Sequence, residues 1–120
     1  MSHVVAIRTE IKDPSAISAA CRRLKLDAPI VGDHTLYDGT YSGIAVKLSG
    51  WTYPIVIQGN GELKYDNYGG SWGNVKELDR FTQFYGVEKA KIEARKRGYL
   101  ASEKTLQDGS IQLTMSKLGG

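Results

Sequence analysis

The chain has 120 residues, 41% hydrophobic and 24% charged, with a formal net charge of +3. That supports one domain with one core, and no apolar run approaches the roughly 18 residues of a membrane-spanning helix. The single cysteine excludes a disulfide framework and a thiolate metal cluster, and the modest basic surplus does not argue for nucleic acid without a clustered patch. The start, Met1-Ser2-His3-Val4-Val5, lacks the charged leader and long apolar stretch of a signal peptide, so the expected location is the cytoplasm.

The alternation from His3 to Ile11 reads as a strand, with Val5, Ile7, Thr9 and Ile11 on one side. Asp13-Pro14 is a helix start, because Asp13 can cap the first N–H groups and Pro14 suits the first helical position. Ile17, Ala20, Cys21 and Leu24 follow at helical spacing, which places Cys21 in the core as a small apolar residue. Thr35 to Tyr37 reads as a short strand and Asp38-Gly39 as a turn, followed by a strand with Ile44, Val46 and Leu48 on one face. Tyr53 to Gln58 is a further strand, with Pro54 placing it near an edge or at a strand start. Gly59-Asn60-Gly61 closes a hairpin onto Glu62 to Asp66. Asn74 caps a helix from about Val75 to Arg97, which Gly98 ends. The last hairpin pairs Tyr99 to Leu106 with Ile111 to Ser116 through Asp108-Gly109, with Ile111, Leu113 and Met115 as its buried face and Gly119-Gly120 as a frayed end. The order strand, helix, four strands, helix, two strands predicts an α+β domain spanning residues 1–120. Its mainly antiparallel sheet of about five to seven strands carries two helices on one face.

Three aromatics and three glycines crowd into Tyr65-Asp66-Asn67-Tyr68-Gly69-Gly70-Ser71-Trp72-Gly73-Asn74, immediately before the long helix. Aromatic faces stack, glycines let a backbone approach a ligand, and a helix start presents free N–H groups. One reading is a connection with Trp72 as a core plug; the other is a site for an anion or nucleotide base. In the second, Tyr65, Asn67, Tyr68 and Trp72 supply the loop contacts, and Lys76 and Arg80 add charge. Glu88 falls inside the narrow apolar stripe of Leu78, Phe81, Tyr85 and Ile92 on the long helix. A carboxylate there needs a partner, either Arg95 or a tyrosine hydroxyl, or it faces a polar pocket and anchors a ligand amino or hydroxyl group. A catalytic role ranks last, because no second catalytic group is apparent. Trp51 follows a Ser-Gly turn and, with Tyr53, forms a candidate exposed interface. Neither His3 nor His34 has metal-ligand spacing, and no phosphate-binding loop motif or serine nucleophile motif is present.

The chain resembles a domain-of-unknown-function family that includes the hypothetical chloroplast reading frame thirty-five protein, with members in plastids, bacteria and phages. The likeness rests on Met1-Ser2-His3-Val4, Thr9 through Asp13, and Tyr65-Asp66-Asn67-Tyr68-Gly69-Gly70-x-Trp72-Gly73. It continues through Tyr85-x-Val87-Glu88-Lys89-Ala90-x-x-Glu93-Ala94-Arg95-x-x-Gly98-Tyr99 and Asp108-Gly109-Ser110-Ile111. The resemblance implies a compact α+β domain with no known catalysis and no catalytic residues to carry over. It also implies a possible adaptor role toward partners such as ATPases. The expectation is a non-enzymatic, homo-oligomeric protein that binds or sequesters a nucleotide-like ligand, without cofactor, metal or membrane. If phage-encoded, it would act on a host nucleotide signal in the host cytoplasm.

Overall fold

A computed structural model describes residues 4–117; His3 and Gly119-Gly120 lie outside them. The elements, in order, are β1 (Val5–Arg8), α1 (Pro14–Arg23), β2 (Ile30–Leu36), β3 (Gly39–Val46), β4 (Ile55–Ile57), β5 (Glu62–Tyr65), α2 (Val75–Lys96), β6 (Tyr99–Thr105) and β7 (Ile111–Lys117). The fold is α+β. Five strands form one antiparallel sheet in the order β1-β5-β4-β3-β2, and β6 and β7 form a separate two-stranded sheet.

Both helices begin where their capping residues dictate. Asp13 accepts a hydrogen bond from Ser15 N (2.9 Å), with Pro14 at the first helical position, and Asn74 accepts one from Lys76 N (2.9 Å). Both helices pack on one face of the larger sheet. Ala16, Ile17, Ala20 and Cys21 of α1 and Leu78, Phe81 and Tyr85 of α2 share one buried cluster with Val46, Leu48, Ile55, Ile57 and Leu63. The opposite face follows from alternation: Val56 stands between Ile55 and Ile57, opposite Ala45 and Lys64, and is fully buried. Lys64 places its ammonium 5.0 Å from the centre of the Tyr41 ring.

Several boundaries differ from the sequence reading. β2 starts at Ile30, because its seven-residue pairing with β3 draws in the low-propensity stretch Gly32-Asp33-His34, and Tyr37-Asp38 makes the connecting turn. β4 lies between β5 and β3, in the sheet interior, and Pro54 immediately precedes it, where a missing N–H costs no ladder bond. Met115 is 45% exposed, so the face expected from Ile111, Leu113 and Met115 is buried only in its first two members, each partly. α2 presents the small side chains of Ala90 and Ala94 near Met115 and leaves it uncovered. Among the described residues no helix is long and apolar enough to cross a membrane.

Trp51 corrects an expectation outright. It is 4% exposed and belongs to the core, so it cannot serve as an exposed interface residue. The Ser-Gly turn before it swings the ring inward, where Nε1 donates to Asn74 O (3.0 Å) and the ring edge meets Tyr65 at 5.6 Å between centroids. Gly73 lies against the indole: a Cβ built on it falls 2.6 Å from both Cγ and Cε2 of Trp51. No side chain fits there without displacing the ring. Gly73→Ala should therefore lower stability by roughly 1–3 kcal/mol, and Trp51→Ala by roughly 3–5 kcal/mol. Thermal unfolding of the two variants checks both values, and an unchanged midpoint for Gly73→Ala would contradict the close packing.

Candidate functional site

The glycine and aromatic loop is held by its own polar groups. Asp66 is fully buried and accepts a hydrogen bond from Tyr68 N (3.0 Å). The Asn67 carbonyl accepts from Gly70 N (3.0 Å) and Trp72 N (2.9 Å), and its side-chain amide donates to Gly73 O (3.2 Å). The chain turns through left-handed backbone at Tyr68 (φ 47°), Gly69 (φ 62°) and Gly70 (φ 106°). For Tyr68 that conformation costs about 1–2 kcal/mol. The strain brings its ring onto Trp72, stacked with centroids 4.6 Å apart. Tyr53 meets Trp72 edge-on at 5.6 Å, and Tyr37, from the β2–β3 turn, approaches it at 5.4 Å.

Trp72 is thus engaged by three tyrosines, which leaves little free face for a ligand base. Thr52 N donates to Trp72 O (2.8 Å), fastening the loop to the segment that carries Trp51. Tyr65 is turned to Trp51, and Asn67 shapes the turn. The aromatic rings that stand exposed here are Tyr37 and Tyr68. Of the cations expected beside the rings, Lys76 is exposed on the first turn of α2, and Arg80 sets its guanidinium 5.9 Å from the Phe84 ring instead. Glu88 lies about 20 Å along the helix axis from Asn74, at 1.5 Å per residue. Geometry therefore divides the expected site residues between the two ends of α2.

At the far end Glu88 sits in a mixed-charge network. Its side chain is 17% exposed, and Oε2 is shielded from solvent without a hydrogen bond, 3.7 Å from Arg23 Nη1 and 3.6 Å from Lys91 Nζ. Those cations hydrogen-bond instead to Glu103 on β6: Arg23 grips both carboxylate oxygens, Nη1 to Oε2 at 2.6 Å, and Lys91 Nζ reaches Oε2 at 2.9 Å. The guanidinium of Arg23 also lies 4.5 Å from the Phe84 ring centre. Hydrogen bonding from Arg23, and then Lys91, holds the Glu103 carboxyl down at about 2, and the same contacts raise both cations.

The partner expected for Glu88, Arg95, is not the one it has. Two turns separate the two residues, whereas Lys91 is three residues away and Arg23 arrives from α1. Arg95 is exposed and makes no ion pair among the described residues. A cleft of about 520 Å³ opens between α2 and β6, lined by Glu88, Lys91, Ile92, Arg95, Lys96 and Tyr99 with the start of β6. Three of these carry positive charge and one negative.

Sequence reasoning missed Tyr37, Arg23, Glu103 and Tyr99. Tyr37 and Tyr99 flank turns and carry no periodic signal, while Arg23 and Glu103 lie 80 residues apart. Comparison with protein-family models, with curated proteins and with solved structures gave no match to this chain.

The depressed Glu103 fixes the sign of one pH effect. Its carboxyl titrates near 4.5 when free and about 2 when folded, so its contribution is complete above 4.5 and is lost as pH falls toward 2. Glu103→Gln should cost roughly 1–3 kcal/mol at neutral pH and make the acid limb of the stability curve shallower between those values. Denaturant unfolding from neutral to acid pH measures this, and parallel acid limbs for the two proteins would contradict it.

Proposed function

We propose that the protein is a non-enzymatic binder of a small nucleotide-like anion, taken up in the cleft between α2 and β6, where it sequesters its ligand. The observation that carries this reading is the unpaired guanidinium of Arg95 on the same cleft as the half-exposed ring of Tyr99 and the carboxylate of Glu88. A nucleotide needs a cation for phosphate, a flat apolar face for the base and an acceptor for ring amino groups. Arg95 with Lys96, Tyr99 with Ile92, and Glu88 offer these in turn. The volume of about 520 Å³ falls in the usual range for such ligands. Binding is favoured over turnover because the lining contains one carboxylate, flanked by two cations, and no histidine, cysteine or serine to pair with it.

An adaptor role is the second reading, favoured by Tyr37 and Tyr68 standing exposed around Trp72. Exposed aromatics on a rigid base are typical anchors for a protein partner.

Thermal unfolding against nucleotides and cyclic dinucleotides separates the two. A ligand of the folded state at a hundredfold excess over its dissociation constant adds about 2.7 kcal/mol. The expected result is a raised midpoint that Arg95→Glu and Tyr99→Ala abolish and Tyr68→Ala retains, with the ligand recovered unchanged after denaturation. A shift lost only in Tyr68→Ala would move the site to the loop. A flat panel with a well-folded protein would leave the adaptor reading.

A further inference from the structure

The larger sheet ends at β2, and that edge is open. Ile30 is 63% and Val31 79% exposed, on opposite faces of a strand that pairs with β3 alone. Proteins usually guard such an edge with charge, a bulge or a covering segment, yet Ala28 to Gly32 carries no charged side chain. Hydrogen-bond alternation fixes which backbone groups are free. Gln58 N donates to Glu62 O (2.8 Å), so the next bonded pair between β4 and β5 is Val56 with Lys64. Ile55 and Ile57 therefore turn their backbone groups to Val46 and Ile44 of β3. By the same alternation Ala45 faces β2 and bonds Ile30, which leaves the N–H and C=O of Val31, and then of Asp33, pointing outward.

We propose that a second copy of this chain adds its own β2 to this edge, antiparallel, about a two-fold axis through the pair of Val31 residues. Free main-chain groups call for a strand, and the side chains of the edge identify which one. In this register the two Val31 residues exchange both backbone hydrogen bonds, and their side chains meet on the helix-bearing face. Ile30 of each copy stands opposite Gly32 of the other, where no atom lies within 4 Å of a Cβ built on the glycine. The bulk of one residue enters the gap left by the other, twice over, as an isologous contact requires. Pro29, which has no N–H, offers its carbonyl to the Asp33 N–H of the other copy. The neighbouring two-fold registers are poorer. An axis through Ile30 sets Val31 against Pro29 and loses a donor at each end. One through Gly32 sets Val31 against the Asp33 carboxylate, and one through Asp33 opposes two carboxylates. The seam is short, so the expected association is weak, in the micromolar range. It is independent of the ligand reading, since no residue lining the cleft takes part.

Sedimentation equilibrium of the full chain over a concentration series tests the proposal. The expected result is a monomer–dimer equilibrium that Val31→Lys weakens about tenfold or more, because like charges then stand opposite each other. Circular dichroism and the unfolding midpoint establish that the variant folds. A second measurement reads the register. The two Val31 Cα atoms would lie about 5.5 Å apart, within disulfide reach, whereas the two Asp33 Cα atoms would lie roughly 14 Å apart. Mild oxidation should therefore link Val31→Cys chains into a dimer far faster than Asp33→Cys chains, with the wild type, whose Cys21 is buried, as the control. A monomer at every concentration would overturn the proposal, as would a dimer indifferent to Val31→Lys. Linkage of Asp33→Cys chains as readily as Val31→Cys chains would overturn it too, because no two-fold axis at Val31 permits it.

Discussion

The seat of the Trp51 indole governs the rest of this structure. Its ring fills the core, its N–H holds the carbonyl of Asn74, and Gly73 lies so close that only a hydrogen fits between backbone and ring. Asn74 is also the cap of α2, so one buried side chain fixes where the long helix begins and in which direction it leaves the sheet. The strained loop before it, with Tyr68 in left-handed backbone, is tolerated because Asp66, Asn67 and Thr52 each tie it down.

From that start α2 acts as the spine of the molecule. At mid-length the Tyr85 hydroxyl accepts from Lys12 N and Asp13 N, both at 3.1 Å, and binds the entry of α1. One turn later Lys89 reaches Asp13 and Glu93, each at 3.0 Å; those carboxylates raise its pKa, and it lowers theirs. Further on, Lys91 and Arg23 hold Glu103 and so dock the last hairpin. The aromatic cluster and the charged cleft thus occupy opposite ends of one rigid helix, which explains why a single site drawing on both is not available to this fold.

The charge network also shapes what the cleft can do. Glu103 absorbs the hydrogen-bonding capacity of Arg23 and Lys91, leaving Glu88 at ion-pair distance but without a hydrogen-bond donor. Lys96 reaches Glu93 at 3.6 Å, and Arg95 is left as the cation with no internal partner on that wall. The charge left unspent on that wall is therefore positive, the character on which the anion-binding proposal rests.

Local signals carried far in this chain. The caps at Asp13 and Asn74, the proline at the start of α1, the glycine after α2 and the short hairpin turns placed both helices and the order of all seven strands. Each depends on a few adjacent residues and on backbone sterics that operate in any context. The pattern also singled out Glu88, since a carboxylate in an apolar stripe is visible from the sequence. Tertiary structure alone brought Arg23 to it from α1, whereas Lys91 lies three residues along the same helix. It likewise buried Trp51, extended β2 through a stretch of weak strand formers and detached the last hairpin from the main sheet. The common reason is that burial, register and ion pairing are contests between distant segments for the same space, and no local run of residues records their outcome.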